Sequence, residues 1–170
     1  ILASRTELYA RAYEEMRKAD LVLLPRLYFK PKGGELLGNF NAWIEKIPAL
    51  ANELSAKGVQ LVLFGPLPFF HEIEDIRECS AEDLESCAER RTVLLEKNQP
   101  VLSQLEALAA NFRNVHVFDP FPVLCPPAEF CYAEYNGVFL FADKHHINRA
   151  GSEKLALPFM KFLADEGLWR

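Results

Sequence analysis

Residues 54–68 read Leu-Ser-Ala-Lys-Gly-Val-Gln-Leu-Val-Leu-Phe-Gly-Pro-Leu-Pro, and they join a helix to a strand. Upstream, apolar residues recur at helical spacing from Trp43 to Leu54, and Gly58 lies where a glycine commonly ends a helix. Residues 59–64 are almost entirely apolar, which is typical of a strand covered on both faces of a parallel sheet. Because a Gly-Pro pair breaks that strand, the stretch predicts one helix–strand unit of an α/β fold.

The same alternation extends along the chain in both directions. Helices are predicted over residues 3–18, 81–112 (interrupted near Pro100) and 149–166, strands over residues 21–24 and 115–118, and a further apolar stretch over residues 138–142. Strands that alternate with helices of this length indicate βαβ units. We therefore expect one domain over residues 1–170, a three-layer α/β/α sandwich with a central parallel sheet.

The topology of such a sheet predicts where function lies. In open parallel sheets the active crevice lies beyond the carboxyl ends of the strands. Four loops begin there: residues 25–41, 65–71, 119–131 and 143–148. We expect their side chains to converge.

Composition excludes some classes of partner. The 19 Lys and Arg against 24 Asp and Glu give a net charge of −5, and no basic cluster is present to contact a row of phosphates. We therefore expect no nucleic-acid partner. The longest apolar runs fall far short of the roughly 20 residues that span a bilayer.

The four cysteines form two close pairs in sequence, Cys79 with Cys87 and Cys125 with Cys131. Their even number and loop positions favour local disulfides and hence an oxidising compartment. Zinc is a competing interpretation, although spacings of eight and six differ from the tight C-x2-C pairs of structural zinc sites. Four unrelated free thiols are the remaining alternative.

Residues 141–151 carry the strongest chemical signal: Phe-Ala-Asp-Lys-His-His-Ile-Asn-Arg-Ala-Gly. On a short turn, Asp143 can accept a hydrogen bond from one ring nitrogen of His146 and leave the other as a general base. Asn148 stands where a helix N-cap is expected. His145 invites a metal interpretation, but adjacent side chains on a turn are expected to diverge, so we predict no metal and no cofactor.

This stretch resembles the last block of the SGNH (GDSL-like) hydrolase superfamily, an Asp-x-x-His followed by an aliphatic residue, a polar helix cap and a Gly. The matching residues are Asp143, His146, Ile147, Asn148 and Gly151. Residues 19–24 with Arg26, residues 58–68, and residues 117–120 with Cys125 and Cys131 look like the SGNH domains fused to membrane acyltransferases of family three.

The resemblance implies an acyl-transfer role on cell-surface glycans, outside the cytoplasmic membrane, with paired cysteines. The acceptor would be a glycan, and a membrane acyltransferase domain of the same polypeptide would deliver the acyl group, an acetyl. The alternatives are a plain carbohydrate esterase and a non-catalytic glycan-binding module on the same scaffold.

The family's Gly-Asp-Ser nucleophile block does not occur in these residues. The six serines are Ser4, Ser55, Ser80, Ser86, Ser103 and Ser152, and none follows a Gly-Asp pair after a strand. Either the nucleophile and its strand lie upstream of Ile1, or this version of the domain has no nucleophile. We favour the first, because deleting a central parallel strand would leave unpaired edges.

The family's Gly-x-Asn-Asp oxyanion block is also replaced, here by Pro25-Arg26-Leu27-Tyr28. Arg26 can supply a cationic donor to a developing oxyanion, or it can pair with an acid at the sheet edge. Asn39 and Asn41 in the next loop can reach the crevice or satisfy backbone groups. His71 is a candidate for lining the acceptor groove.

Overall fold

The structure is a computed structural model that describes residues 5–17, 20–31, 34–70, 73, 76, 79 and 87–169. Within these ranges, every helix falls short of the length and apolarity that a membrane span requires. The helices are α1 Arg5–Glu15, α2 Phe40–Ile44, α3 Ile47–Ala56, α4 Arg91–Ala109, α5 Phe121–Leu124 and α6 Arg149–Asp165. The strands are β1 Leu21–Leu24, β2 Gln60–Phe64, β3 Ala88–Arg90, β4 Val115–Phe118, β5 Phe130–Tyr132, β6 Glu134–Tyr135 and β7 Val138–Phe139.

The central sheet of the described residues is parallel, with strand order β1-β2-β4. Leu21 pairs with Gln60, and Leu61 pairs with Val115, so β2 lies between the other two strands. The three predicted strands are confirmed. They form because these apolar runs pair backbone to backbone with β2, the central and most buried of the three strands, whereas β1 is only partly buried.

Apolar packing covers both faces of this sheet. Val62 of β2 packs with Phe118 and with Leu155 and Leu163 of α6, whereas Leu61 belongs to a second cluster. That second cluster contains residues of α3 and of the carboxyl half of α4. The helices therefore form a layer on each face, and the predicted three-layer α/β/α class is confirmed.

The end of α3 follows the glycine signal in the sequence. Gly58 has φ 72°, a left-handed conformation in which glycine has no Cβ penalty. Its N–H donates to the Ser55 carbonyl, and the Val59 N–H donates to the Leu54 carbonyl, the two bonds of a Schellman motif. This cap delivers the chain directly into β2.

Two sequence expectations need correction. Residues 88–90, predicted as helix, form β3, because they pair antiparallel with β5 around Glu89 and Cys131. The apolar stretch over residues 138–142 does not join the parallel sheet of the described residues; its first two residues form a hairpin with β6. Pro100, by contrast, lies inside a continuous α4 rather than interrupting it.

Both cysteine pairs are joined as disulfides, Cys79–Cys87 with Cα atoms 5.5 Å apart and Cys125–Cys131 with Cα atoms 5.1 Å apart. Cys87, Cys125 and Cys131 are fully or almost fully buried. The bonds hold the segment around β3 and β5 beside the main apolar cluster. Of the three interpretations of the cysteine pairs, the structure therefore agrees with local disulfides and not with a zinc site or free thiols.

Candidate active site

The turn between Phe141 and α6 brings an imidazole against a carboxylate. The Nδ1 atom of His146 lies 2.7 Å from Oδ2 of Asp143. The other carboxylate oxygen accepts the backbone N–H groups of His145 at 2.9 Å and of His146 at 2.8 Å. Asp143 thus fixes both the backbone of the turn and the orientation of the His146 ring.

This hydrogen bonding sets the charge of Asp143. Burial alone would raise the pKa of Asp143, but the hydrogen bonds from the His146 side chain and from the backbone of His145 and His146 outweigh it and lower the pKa to about 2. The carboxylate is therefore ionised at neutral pH. An ionised acceptor at Nδ1 favours the tautomer in which Nε2 of His146 carries the lone pair.

The start of α6 holds the turn in place. Asn148 is the N-cap, and its side chain accepts the Gly151 N–H at 3.0 Å. The Asn148 amide also donates to the Phe139 carbonyl at 2.8 Å, which ties the helix to the preceding strand. Gly151 is buried against the Leu140 carbonyl, where a Cβ atom has no room. The cap predicted from sequence is confirmed.

A pocket of about 250 Å³ opens beside the two histidines. Its walls come from three of the four loops expected at the carboxyl edge: residues 25–29, residues 66–69, and the pair His145 and His146. Most of these residues are proline, leucine or aromatic, so the lining is largely apolar. A backbone hydrogen bond from Phe70 to the Lys144 carbonyl, 3.0 Å long, joins two of the loops.

Arg26 brings a guanidinium group to this apolar pocket. Its Nη2 donates to Oδ1 of Asn39 at 2.6 Å, and its Cζ lies 4.7 Å from the centre of the Trp43 ring. Its Nε is buried without a hydrogen-bond partner. Within the described residues the structure gives Arg26 an amide and an aromatic ring as neighbours, and no carboxylate.

The remaining candidates are placed differently. Asn39 orients Arg26, whereas Asn41 is exposed on α2 and does not line the pocket. His71 lies outside the described residues. Asp119, a possible rival partner for His146, instead accepts the Phe121 backbone N–H at 2.9 Å, as a turn-capping residue does, and burial raises its pKa.

His145 does not point away from His146 as predicted. The two ring centres lie 4.0 Å apart, and the side chain of His145 is only 12% exposed. It also contacts the Phe69 ring, with centres 5.7 Å apart. The expectation that the adjacent side chains diverge is wrong, because the hydrogen bonds to Asp143 curl the turn and bring both imidazoles to the same side.

Sequence reasoning missed two residues that act at this site: Trp43 contacts Arg26, and Tyr28 lines the pocket. The helical spacing of apolar residues predicts only that Trp43 packs on one face of a helix, yet its ring also contacts the guanidinium of Arg26. Tyr28 is buried and its hydroxyl donates to the Phe64 carbonyl at 2.5 Å, which links the loop after β1 to the end of β2. Burial raises the pKa of Tyr28, so this hydroxyl keeps its proton. The sequence offered one signal for the role of Tyr28: it lies in the loop after β1, two residues beyond Arg26.

An imidazole oriented by an ionised carboxylate, at the edge of an α/β sheet and beside an apolar pocket, is the arrangement of enzymes that use histidine as a general base in acyl chemistry. The family described as SGNH domain (fused to AT3 domains) matches residues 1–161. The chain belongs to this family.

A structural comparison agrees on the fold. The fold is similar to that of a protein from Slackia heliotrinireducens that is assigned by inference to the SGNH hydrolases. The TM-score is 0.56, and the two sequences are 18% identical. The match covers 94% of this chain and 73% of that one. No curated protein matches the sequence significantly.

Proposed function

We propose that this chain supplies the histidine and aspartate of a Ser-His-Asp triad that transfers an acyl group, most simply acetyl, to a cell-surface carbohydrate. The observation that carries the proposal is the 2.7 Å contact between His146 Nδ1 and Asp143 Oδ2 at the mouth of the pocket. The His146 side chain is 64% exposed, so its Nε2 is open to an incoming hydroxyl.

In the proposed reaction a serine hydroxyl attacks the acyl carbonyl carbon while Nε2 of His146 takes its proton. The tetrahedral intermediate collapses, the proton passes to the leaving alkoxide, and an acyl-serine remains. A carbohydrate hydroxyl then attacks in the same way and regenerates the serine. Asp143 stays ionised throughout and stabilises the imidazolium that forms in each half-reaction.

Arg26 is the candidate for stabilising the oxyanion. A preorganised donor is worth about 3–4 kcal/mol in such a transition state. Asn39 and Trp43 hold the guanidinium in one place, and the apolar walls limit competition from water. In such surroundings a cationic donor interacts more strongly with a developing negative charge than it would in water.

The serine would come from a strand outside these 170 residues that adds to the free edge of β1. In the described sheet β1 pairs with β2 alone, and Leu23 on β1 is 44% exposed although it is a large apolar residue. An apolar parallel strand is normally covered on both sides. A strand paired there would end at the same edge as Arg26, facing the pocket.

Membership of a family fused to AT3 domains supports a membrane tether and an acyl donor delivered by that domain. The two disulfides fit a periplasmic or other extracytoplasmic location. The carbohydrate acceptor completes the proposal, and transfer to water would make the same site an esterase.

Active-site labelling tests this proposal. The complete polypeptide is treated with a fluorophosphonate, which reacts with activated serines, and the modified residue is found by peptide mass spectrometry. We expect one labelled serine upstream of Ile1, and no labelling in a His146→Ala variant. His116→Ala, which changes a histidine on β4 bonded to Glu166, is the matched control and should label normally. Labelling of any of the six serines of this chain, or of none, would contradict the proposal.

A further inference from the structure

We propose that Asp143, His145 and His146 form a zinc site that switches off the general base. One ligand atom from each of the three residues lies within 4.8 Å of the others. Two imidazoles and a carboxylate are a common ligand set for Zn²⁺, with a water molecule in the fourth position. The inhibitory role rests on the proposed function, whereas the binding site does not.

The distances suit the ion after a small adjustment. The Nδ1 atoms of His145 and His146 lie 3.3 Å and 2.7 Å from the two oxygens of Asp143. Tetrahedral zinc with ligands at about 2.1 Å places neighbouring ligand atoms roughly 3.4 Å apart. The His146 side chain is 64% exposed, so its ring has room to rotate towards this spacing.

The buried histidine supplies an independent argument. Nδ1 of His145 is buried and makes no hydrogen bond, although Asp143 Oδ1 lies 3.3 Å away, because the two groups are misaligned. A buried polar atom without a partner costs free energy. A metal ion between the three side chains would give this nitrogen the partner that it lacks.

Zinc at this position would block the proposed base by a defined route. In the active form Nδ1 of His146 carries the ring proton and Nε2 carries the lone pair. When zinc occupies Nδ1 of a neutral imidazole, the single ring proton must lie on Nε2. Nε2 then donates instead of accepting, and it cannot take the proton of the nucleophile. The ion also occupies the carboxylate that orients the ring.

Calorimetric titration with ZnCl₂ tests the site in the complete polypeptide after removal of metals with a chelator. We compare the wild type with His145→Gln and Asp143→Asn, and with His116→Gln as the matched control. The wild type and the control should bind one equivalent that the two site variants bind at least about tenfold more weakly, since even changes outside the ligand shell cost 10–100-fold. Circular dichroism checks that each variant is folded.

Acetyl-ester turnover tests the inhibitory role, with each variant normalised to its own zinc-free rate. Zinc should inhibit the wild type and His116→Gln, and His145→Gln should need at least about tenfold more zinc for half inhibition. Equal zinc affinity in His145→Gln and the wild type would overturn the site. Activation by zinc, or loss of activity on chelation, would overturn the inhibitory role. Absence of all ester turnover would count against the proposed function, while the calorimetry would still decide the zinc site.

Discussion

Gly151→Ala should displace the turn that carries Asp143 and His146. A Cβ atom built on Gly151 would lie closer than 3.0 Å to the Leu140 carbonyl oxygen, and 3.0 Å from Cβ of Ile147. The Leu140 carbonyl is held by the Asn148 backbone N–H at 2.9 Å, and Ile147 is held by its bridge to Phe141. The first turn of α6 must therefore move away from the strand by about 1 Å to reach ordinary contact distance.

The size of the effect follows from this displacement. Overpacking of a well-packed site typically costs about 1–3 kcal/mol. For a domain of this size each kcal/mol lowers Tm by roughly 2–4 °C. Because Asp143 and His146 precede that helix turn directly, a shift of about 1 Å in their position can cost about 100-fold in rate.

Calorimetric melting and ester turnover of the complete polypeptide measure both effects. Gly38→Ala is the matched control, because a Cβ atom there meets nothing within 4 Å, and it should leave Tm and rate close to the wild type. If the Tm and the ester turnover rate of Gly151→Ala also equal those of the wild type, the close packing of α6 against Leu140 does not position the turn.

Three further predictions concern charge, redox state and the nucleophile. The folded-state pKa of Asp143 is lowered to about 2, so its stabilising contribution is present above the unfolded pKa near 3.9 and is lost as the pH falls towards 2. The difference in free energy of unfolding between the wild type and Asp143→Asn should therefore shrink on acidification below pH ~4; a difference that is constant with pH would refute this. Non-reduced, thiol-blocked protein should show no free thiol by mass spectrometry, with Cys79 bonded to Cys87 and Cys125 bonded to Cys131; four alkylated cysteines would refute the extracytoplasmic location. The 170 residues alone should hydrolyse a small acetyl ester no faster than buffer, and robust turnover that one of their own serines supports would show that the nucleophile lies within them.

The sequence predicted the elements whose formation depends on local pattern. The strands β1, β2 and β4 are short, mostly apolar runs that end at Pro25, at Gly65 and at Asp119-Pro120, and each is predicted within one residue. The helix cap at Asn148 and the Asp143–His146 turn were also recognised, because both depend on residues at most three positions apart. Hydrogen bonds between residues so close in sequence can be predicted from the order of the residues alone.

Features that depend on pairing between distant segments were not predictable. Residues 88–90 have helix-forming side chains, yet pairing with β5 beside the disulfides makes them a strand. The contacts of Arg26 are one example: its guanidinium donates a hydrogen bond to Asn39 and lies over the Trp43 ring. No periodicity marks such contacts, because they exist only after the loop has folded back on β1.

The most direct test of the account measures acyl transfer by the complete polypeptide in four variants: His146→Ala, Asp143→Asn, the double variant and His145→Ala. We predict that the first two each lower the rate by about 10³–10⁴-fold with the fold intact, that the double variant is little worse than His146→Ala because the pair acts as one unit, and that His145→Ala is far milder. If His145 proves essential and His146 dispensable, the Asp143–His146 pair is not the catalytic pair and the account is contradicted.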